Sequence, residues 1–114
     1  MKTIKVNEII SSAFSQQKAL VLREKIEEYL KQEDRIVLDF KGITKFTTLF
    51  FNFSTGYYIS LLGPEEYNKK IELINLSELG NSVYQSSYEN AAMKYEPGQI
   101  TEDEIINIIK NPED

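Results

Sequence analysis

RIVLDFKGITKFTTLF, residues 35–50, carries signals for a strand, a turn and a helix in succession. Arg35 to Phe40 is a short apolar run with β-branched residues, typical of a strand buried on both faces of a sheet. Lys41 to Lys45 places a glycine among polar residues and predicts a turn. A long apolar and aromatic segment begins at Thr48. Residues 35–50 therefore predict a central strand that leads through a turn into a second element.

The segment from Thr48 to Leu62 fits either a strand or a helix. Its aromatic residues and threonines favour a strand. The helix is favoured because apolar residues recur with a helical period and Gly63-Pro64 supplies a C-terminal stop. Gly56 lowers the helical propensity by about 1 kcal/mol. The predicted buried stripe of this helix comprises Leu49, Phe50, Phe53, Tyr57 and Leu61.

The N-terminal third predicts one strand and one helix. Alternation of apolar and polar residues begins at Thr3, and the segment from Thr3 to Ile10 suits a half-buried or edge strand. Ser15 is a suitable N-cap for a helix from Gln16 to Gln32. Its predicted buried stripe comprises Ala19, Leu22, Ile26, Tyr29 and Leu30.

The C-terminal half continues the alternation of strands and helices. Glu65 to Lys70 is predicted to be a charged connection, and Ile71 to Leu76 a third strand. Ser77 can cap a helix from Glu78 to Lys94, which ends before Pro97-Gly98.

A last helix is predicted from Thr101 to Ile109, because Thr101 and Glu104 form a capping box. We therefore predict a domain over residues 1–96 and a helical, acidic extension over residues 97–114. The order β-α-β-α-β-α-α predicts an α/β fold with a small parallel or mixed sheet, right-handed crossovers and covering helices.

Composition excludes several classes of function. The 114 residues contain neither cysteine nor histidine, which rules out disulfides, thiolate or imidazole metal sites and nucleophile–histidine catalysis. We therefore expect no cofactor and no bound metal. The net charge of −5 disfavours nucleic acid, because an acidic surface repels phosphates.

The N-terminal residues are not followed by a continuous apolar stretch, so no signal peptide is predicted. The longest apolar stretch, from Phe50 to Leu62, is too short and too polar to span a bilayer. We expect a cytoplasmic protein with no membrane partner.

Catalytic candidates are few. Asp39 lies at the C-terminal end of the predicted central strand, where open α/β sheets place their sites. It has no second carboxylate or base beside it, and a simpler interpretation is that it accepts N–H bonds from the following loop. The tyrosines at 84, 88 and 95 could stack on a ligand or anchor a partner, although core packing is the favoured interpretation. We expect a protein that is not an enzyme.

Thr47 and Thr48 stand at the predicted start of the second helix. A hydroxyl at this position can cap the helix. The functional alternative is a phosphoacceptor, since modification would add almost two negative charges to a partner surface. Thr48 is the first candidate and Thr47 the second.

The segment from Arg35 to Phe50 resembles the core of STAS-type domains, which occur in bacterial anti-sigma-factor antagonists and at the ends of sulfate transporters. Over Thr3 to Tyr95 the chain resembles more closely the bacterial STAS-like domain family of uncharacterised function. The resemblance implies a sheet with helices mainly on one face, and partner switching between proteins. When Leu38-Asp39-Phe40 is aligned, the usual phosphoacceptor serine of the antagonists falls at Leu49, and its preceding neighbour at Thr48.

The sequence therefore predicts a regulatory module that binds a protein partner, such as a kinase-type ATPase. A small-molecule or nucleotide-binding sensor is the alternative. The oligomeric state stays open. The predicted partner-binding residues are Asp39, Lys41, Lys45, Thr47 and Thr48.

Overall fold

Three short parallel strands form the sheet of the computed structural model, which describes residues 1–97. The strands are β1 (Lys2–Lys5), β2 (Ile36–Asp39) and β3 (Ile71–Ile74), in the order β1-β2-β3. The central position of β2 and the α/β class are confirmed, and the sheet is parallel. The predicted helix from Thr101 to Ile109 lies outside the described residues, as does all of the predicted extension after Pro97.

The helices cover one face of this sheet. Ile4 pairs with Leu38, and Leu38 pairs with Leu73, so these three side chains share the face that joins the core. Thr3 and Glu72 flank Val37 on the opposite face and are exposed. Both crossovers step in the same direction along the sheet, and right-handed crossovers of this kind place their helices on the same side.

Strand β1 is shorter than predicted. It ends at Lys5, and Val6–Glu8 form a turn of 3-10 helix. Lys5 pairs with Asp39, the last residue of β2, so the chain beyond Lys5 has no strand to pair with. Val6 and Ile10 are nevertheless buried, because the turn directs both into the core.

Helix α1 spans Gln16–Leu30, and its predicted cap is confirmed. The Ser15 hydroxyl accepts a hydrogen bond from the Lys18 amide at 3.1 Å. The helix ends two residues earlier than predicted, and Tyr29 is only partly buried. The rest of the predicted stripe is buried: Ala19, Leu22, Ile26 and Leu30.

The predicted helix from Thr48 to Leu62 is two helices, α2 (Thr48–Phe53) and α3 (Thr55–Leu62). The break falls at Ser54, whose φ and ψ are −105° and −93°. Its buried hydroxyl donates to the Phe50 carbonyl at 2.9 Å, a local bond of the kind that competes with regular helical bonding.

The buried side chains of α2 and α3 differ from the predicted stripe. Phe50 is buried as predicted, but Leu49 is exposed, and the other members of the predicted stripe are only partly buried. The predicted stripe is therefore wrong for most of its residues. Three residues of α2 and α3 that are fully buried were not part of the predicted stripe: Phe51, Tyr58 and Ile59.

Residues 64–70, predicted to be a charged connection, form helix α4 (Pro64–Lys70). Gly63, with φ of +88°, separates α3 from α4 in a conformation that favours glycine. Tyr67 is fully buried and anchors α4 in the core. The Arg35 guanidinium donates to the carbonyls of Asn68 and Lys69, at 3.1 and 3.0 Å, which satisfies the C-terminal end of this short helix.

Helix α5 spans Glu78–Lys94, as predicted. The Ser77 hydroxyl caps it by accepting from the Gly80 amide at 3.0 Å. Tyr84 is buried and points toward α4, where its hydroxyl lies 2.8 Å from that of Tyr67. Core packing of this tyrosine is therefore confirmed.

Candidate functional site

Asp39 joins the C-terminal ends of two strands. One of its carboxylate oxygens accepts from the Lys41 amide at 3.0 Å and from the Asn75 side-chain amide at 2.8 Å. The Asn75 hydrogen bond, followed by that of Lys41, holds the pKa of Asp39 below its ordinary value of 3.8. This geometry is that of a carboxylate that stabilises the turn after β2. It agrees with the simpler interpretation of the sequence, in which Asp39 accepts N–H bonds from the following loop.

Asp39→Asn should lower stability at neutral pH, because the asparagine oxygen accepts the hydrogen bonds from Lys41 and Asn75 without the negative charge that strengthens them. A depressed folded-state pKa contributes stability that is complete above the unfolded-state pKa and is lost as the pH falls through the folded-state value. The stability difference between wild type and Asp39→Asn should therefore begin to shrink as the pH falls toward the ordinary pKa of 3.8, and should continue to shrink below it. Urea unfolding at several pH values measures this, and a difference that stays constant or grows in acid would contradict it.

The loop after Asp39 is fixed by two buried side chains. Ile43 and Phe46 are both buried, and Gly42, with φ of +90°, makes the turn between them and the strand. The loop also pairs with Ala13, whose amide donates to the Lys45 carbonyl and whose carbonyl accepts from the Thr47 amide, each at 2.9 Å. These contacts hold the loop against the chain just before α1.

Phe46 also holds the start of α5 beside this loop. Its ring stacks on that of Phe51, with 6.1 Å between centroids and 8° between planes. On its other side lies Gly80, where a β-carbon would stand only 2.8 Å from the ring. The first turn of α5 therefore packs directly against Phe46, and Leu79 precedes the point of contact.

The two predicted phosphoacceptor candidates have different surroundings. Thr47 is the N-cap of α2, and its hydroxyl accepts from the Phe50 amide at 3.1 Å. The same hydroxyl donates to the Phe14 carbonyl. Thr48 is the first residue of α2, is partly exposed and takes no part in the cap. Of the two hydroxyls, that of Thr48 is the one a modifying enzyme could reach without opening the cap.

Thr47→Ala should lower the free energy of unfolding by about 0.5–2 kcal/mol, the usual cost of losing an N-cap. Thr48→Ala is the matched control, and its effect should stay within about 0.5 kcal/mol. Chemical denaturation of the two variants checks both values. Equal losses, or the larger loss at Thr48, would show that the cap is assigned to the wrong residue.

Three large apolar side chains are exposed around this helix start. Phe14 is 55% exposed, Leu49 47% and Leu79 59%. The Phe14 carbonyl accepts a hydrogen bond from the Thr47 hydroxyl, Leu49 lies in the first turn of α2, and Leu79 precedes the glycine that contacts Phe46. We name this region the α2-start surface and define it by Phe14, Lys45, Thr48, Leu49 and Leu79.

The charge near the α2-start surface is opposite to that of the whole chain. No aspartate or glutamate occurs between Phe40 and Pro64, and the charged residues of that stretch are Lys41 and Lys45. Glu78, beside Leu79, is the one carboxylate adjacent in sequence to a residue of the surface. A chain with a net charge of −5 thus has a lysine, Lys45, as the charged residue among those that define this surface.

The five predicted partner-binding residues lie in two separate regions of the structure. Lys45, Thr47 and Thr48 accompany the start of α2. Asp39 and Lys41 instead border a shallow depression at the end of β1, together with Lys5, Asn7 and Glu8. Sequence reasoning missed Phe14 and Leu79, because only the contacts through Thr47 and Phe46 place them beside the loop.

Within residues 1–97, no three acidic side chains come close enough together to hold a metal ion. No helix in the same part of the chain combines the length and apolar composition needed to cross a membrane.

Comparison with known proteins gives one match. A family model described as a STAS-like domain of unknown function (DUF4325) matches residues 18–81, which is more than half of the chain. The matched region begins in α1 and ends in the first turn of α5, so it contains β2, β3 and most of the α2-start surface. No curated protein and no solved structure matches the chain.

Proposed function

The chain belongs to the STAS-like domain family, and from this membership we propose that it is a non-enzymatic module that regulates another protein by binding it. The α2-start surface is the binding site. The observation that carries the proposal is the exposure of Phe14, Leu49 and Leu79 around a helix start that is held by a cap and by buried side chains.

Exposed apolar side chains favour binding when their scaffold is already ordered. Burial of apolar surface contributes about 25 cal/mol per Å², and affinity is reduced by whatever ordering the complex requires. Here the loop is held by Ile43 and Phe46, and α2 by its cap at Thr47. A partner would therefore meet three apolar side chains whose backbone positions are already fixed.

The lysines indicate the charge of the partner. Lys45 belongs to the surface and Lys41 precedes it in the same loop, while the stretch from Phe40 to Pro64 carries no acidic residue. Complementary charge steers encounter and disfavours wrong partners. We expect an acidic partner surface around an apolar centre. A kinase-type ATPase, the kind of partner that the antagonist proteins use in the bacterial cytoplasm, is the leading candidate.

Modification of Thr48 would regulate this binding. A phosphate adds almost two negative charges beside Lys45 and next to Leu49, where an acidic partner would be repelled. Because the Thr47 hydroxyl makes the cap, modification of Thr48 would leave the start of α2 folded.

The surroundings of Asp39 support a role without catalysis. Both contacts of the Asp39 carboxylate are structural, one to the loop backbone and one to Asn75. The chain offers neither histidine nor cysteine to act with it. Substrate turnover that Asp39→Asn abolishes in an otherwise folded protein would overturn this part of the proposal.

A capture experiment from the native host tests the proposed function. Three full-length baits are compared by mass spectrometry: wild type, Leu49→Asp and Met93→Asp. Met93 is an apolar side chain near the far end of α5 that is 78% exposed, so its replacement controls for the added charge. We expect one protein to be retained by wild type and Met93→Asp and lost from Leu49→Asp. Retention by all three baits, or by none, would contradict the proposal.

A further inference from the structure

A cleft lies between α1, the C-terminal end of α2, α3 and the residues that follow α5. Its volume is about 440 Å³, within the range of small-molecule sites. Two neighbouring stripes along α2 and α3 line it, one of small or polar residues and one of larger apolar residues, each spaced by four along the chain. The stripes are Asn52, Gly56 and Ser60, and Phe53, Tyr57 and Leu61.

Arg23 supplies a positive charge to this cleft. Its guanidinium carbon lies 3.4 Å from the centroid of the Tyr57 ring, so the planar group is stacked on the aromatic face. Among residues 1–97 no carboxylate forms an ion pair with it. A stacked guanidinium still has its N–H groups in its own plane, where they suit a carboxylate.

Two neighbouring contacts orient the other polar groups. The Asn52 side-chain oxygen accepts from the fully buried Ser87 hydroxyl at 2.7 Å, so the N–H₂ group of Asn52 is left to donate elsewhere. The Tyr58 hydroxyl donates to the Arg23 carbonyl at 3.0 Å and ties α1 to α3 beside the cleft. Arg23 and Asn52 are thus two donors carried by different helices and held by buried partners.

An aromatic ring closes the far side. Tyr95 packs so closely over Gly63 that a β-carbon there would lie 2.7 Å from the ring. Next to it on the rim is the exposed carboxylate of Glu96. Glu96 disfavours ligands with several negative charges, such as nucleoside triphosphates, while a single carboxylate can still pair with Arg23.

We infer that this cleft binds a small aromatic monocarboxylate. The carboxylate accepts from the Arg23 guanidinium and the Asn52 amide, and the ring packs between Phe53 and Tyr95. This site is a function beyond protein binding, and it does not depend on the α2-start surface.

Fluorine NMR of the full-length chain with para-fluorobenzoate tests the inference. The neutral para-fluorobenzamide has the same shape, and we expect it to bind at least about tenfold more weakly, the value of one charge-assisted hydrogen bond. Arg23→Gln should weaken the binding of para-fluorobenzoate by a similar factor. Lys69→Gln removes a positive charge from the exposed surface of α4, outside the residues that line the cleft, and should leave this binding unchanged.

The comparison of para-fluorobenzoate with para-fluorobenzamide uses only the wild-type chain, so it tests the inference even if Arg23→Gln fails to fold. Absence of para-fluorobenzoate binding to wild type would overturn the inference. Equal binding of acid and amide, unchanged affinity in folded Arg23→Gln, or tighter binding of ATP than of the carboxylate would do the same.

Discussion

Replacing Phe51 by alanine should lower the free energy of unfolding by about 3–5 kcal/mol. The side chain is completely buried, and truncation leaves a cavity at the point where the sheet, α2 and α5 meet. Such a loss is a large part of the stability of a domain of this size. Four aromatic rings surround it, with their centroids 5.3 to 6.1 Å from that of Phe51: Phe40, Phe46, Phe50 and Tyr84.

Leu49→Ala is the matched control, two residues away in the same helix. Leu49 is about half exposed, and leucine and alanine are both strong helix formers, so the loss should stay within about 0.5 kcal/mol. Urea unfolding of both variants measures the contrast. A loss at Leu49 that equals the loss at Phe51 would mean that α2 is rotated relative to the described core.

Leu49→Asp should weaken binding to the purified partner by at least about thirtyfold, the effect of removing one interface hot spot. The change places a charge at the centre of the α2-start surface, where an acidic partner would repel it. Thr48→Asp should weaken binding in the same direction. The melting temperature should hardly change in either variant, because neither side chain belongs to the core.

Met93→Asp makes the same chemical change on another exposed part of the chain and should bind as wild type does. Calorimetric titration of the four proteins gives the affinities. Near-native affinity of both Leu49→Asp and Thr48→Asp would remove the start of α2 from the interface.

The elements that sequence reasoning identified are those with local signals. Strand β2 follows from its β-branched run, and helices α1 and α5 follow from the capping serines at 15 and 77. Helix α4 was missed, although Pro64 at its first position, the acidic residues after it and the lysines at its end are all typical of a helix. The charged composition of the segment favoured a connection, because the apolar contact that anchors the helix is made by one residue, Tyr67, whose partner Tyr84 lies 17 residues further along the chain.

The division between α2 and α3 has a different origin. Ser54 is an ordinary residue in sequence, and only its burial turns its hydroxyl toward the Phe50 carbonyl. Within α2 the buried face contains Phe50 and Phe51 rather than Leu49. Leu49, the position that aligns with the antagonist phosphoacceptor, is therefore exposed, although periodicity had assigned it to the core.

The position of the candidate site along the chain could be predicted from the sequence, but the full set of residues that form it could not. The turn before the second helix could be identified from Thr47, Thr48 and the preceding strand. Which threonine makes the cap depends on the residue at which α2 begins, and a difference of one residue exchanges the roles of Thr47 and Thr48. Phe14 and Leu79 join the surface through contacts between segments that are more than thirty residues apart, and no local pattern reports such contacts.

Amide hydrogen exchange of the full-length chain, alone and bound to its purified partner, tests the central claim most directly. The account predicts that protection on binding is concentrated at the start of α2, at the loop carrying Lys45, and at the segments around Phe14 and Leu79. Protection confined to other surfaces, such as α4 or the exposed face of the sheet, would contradict it.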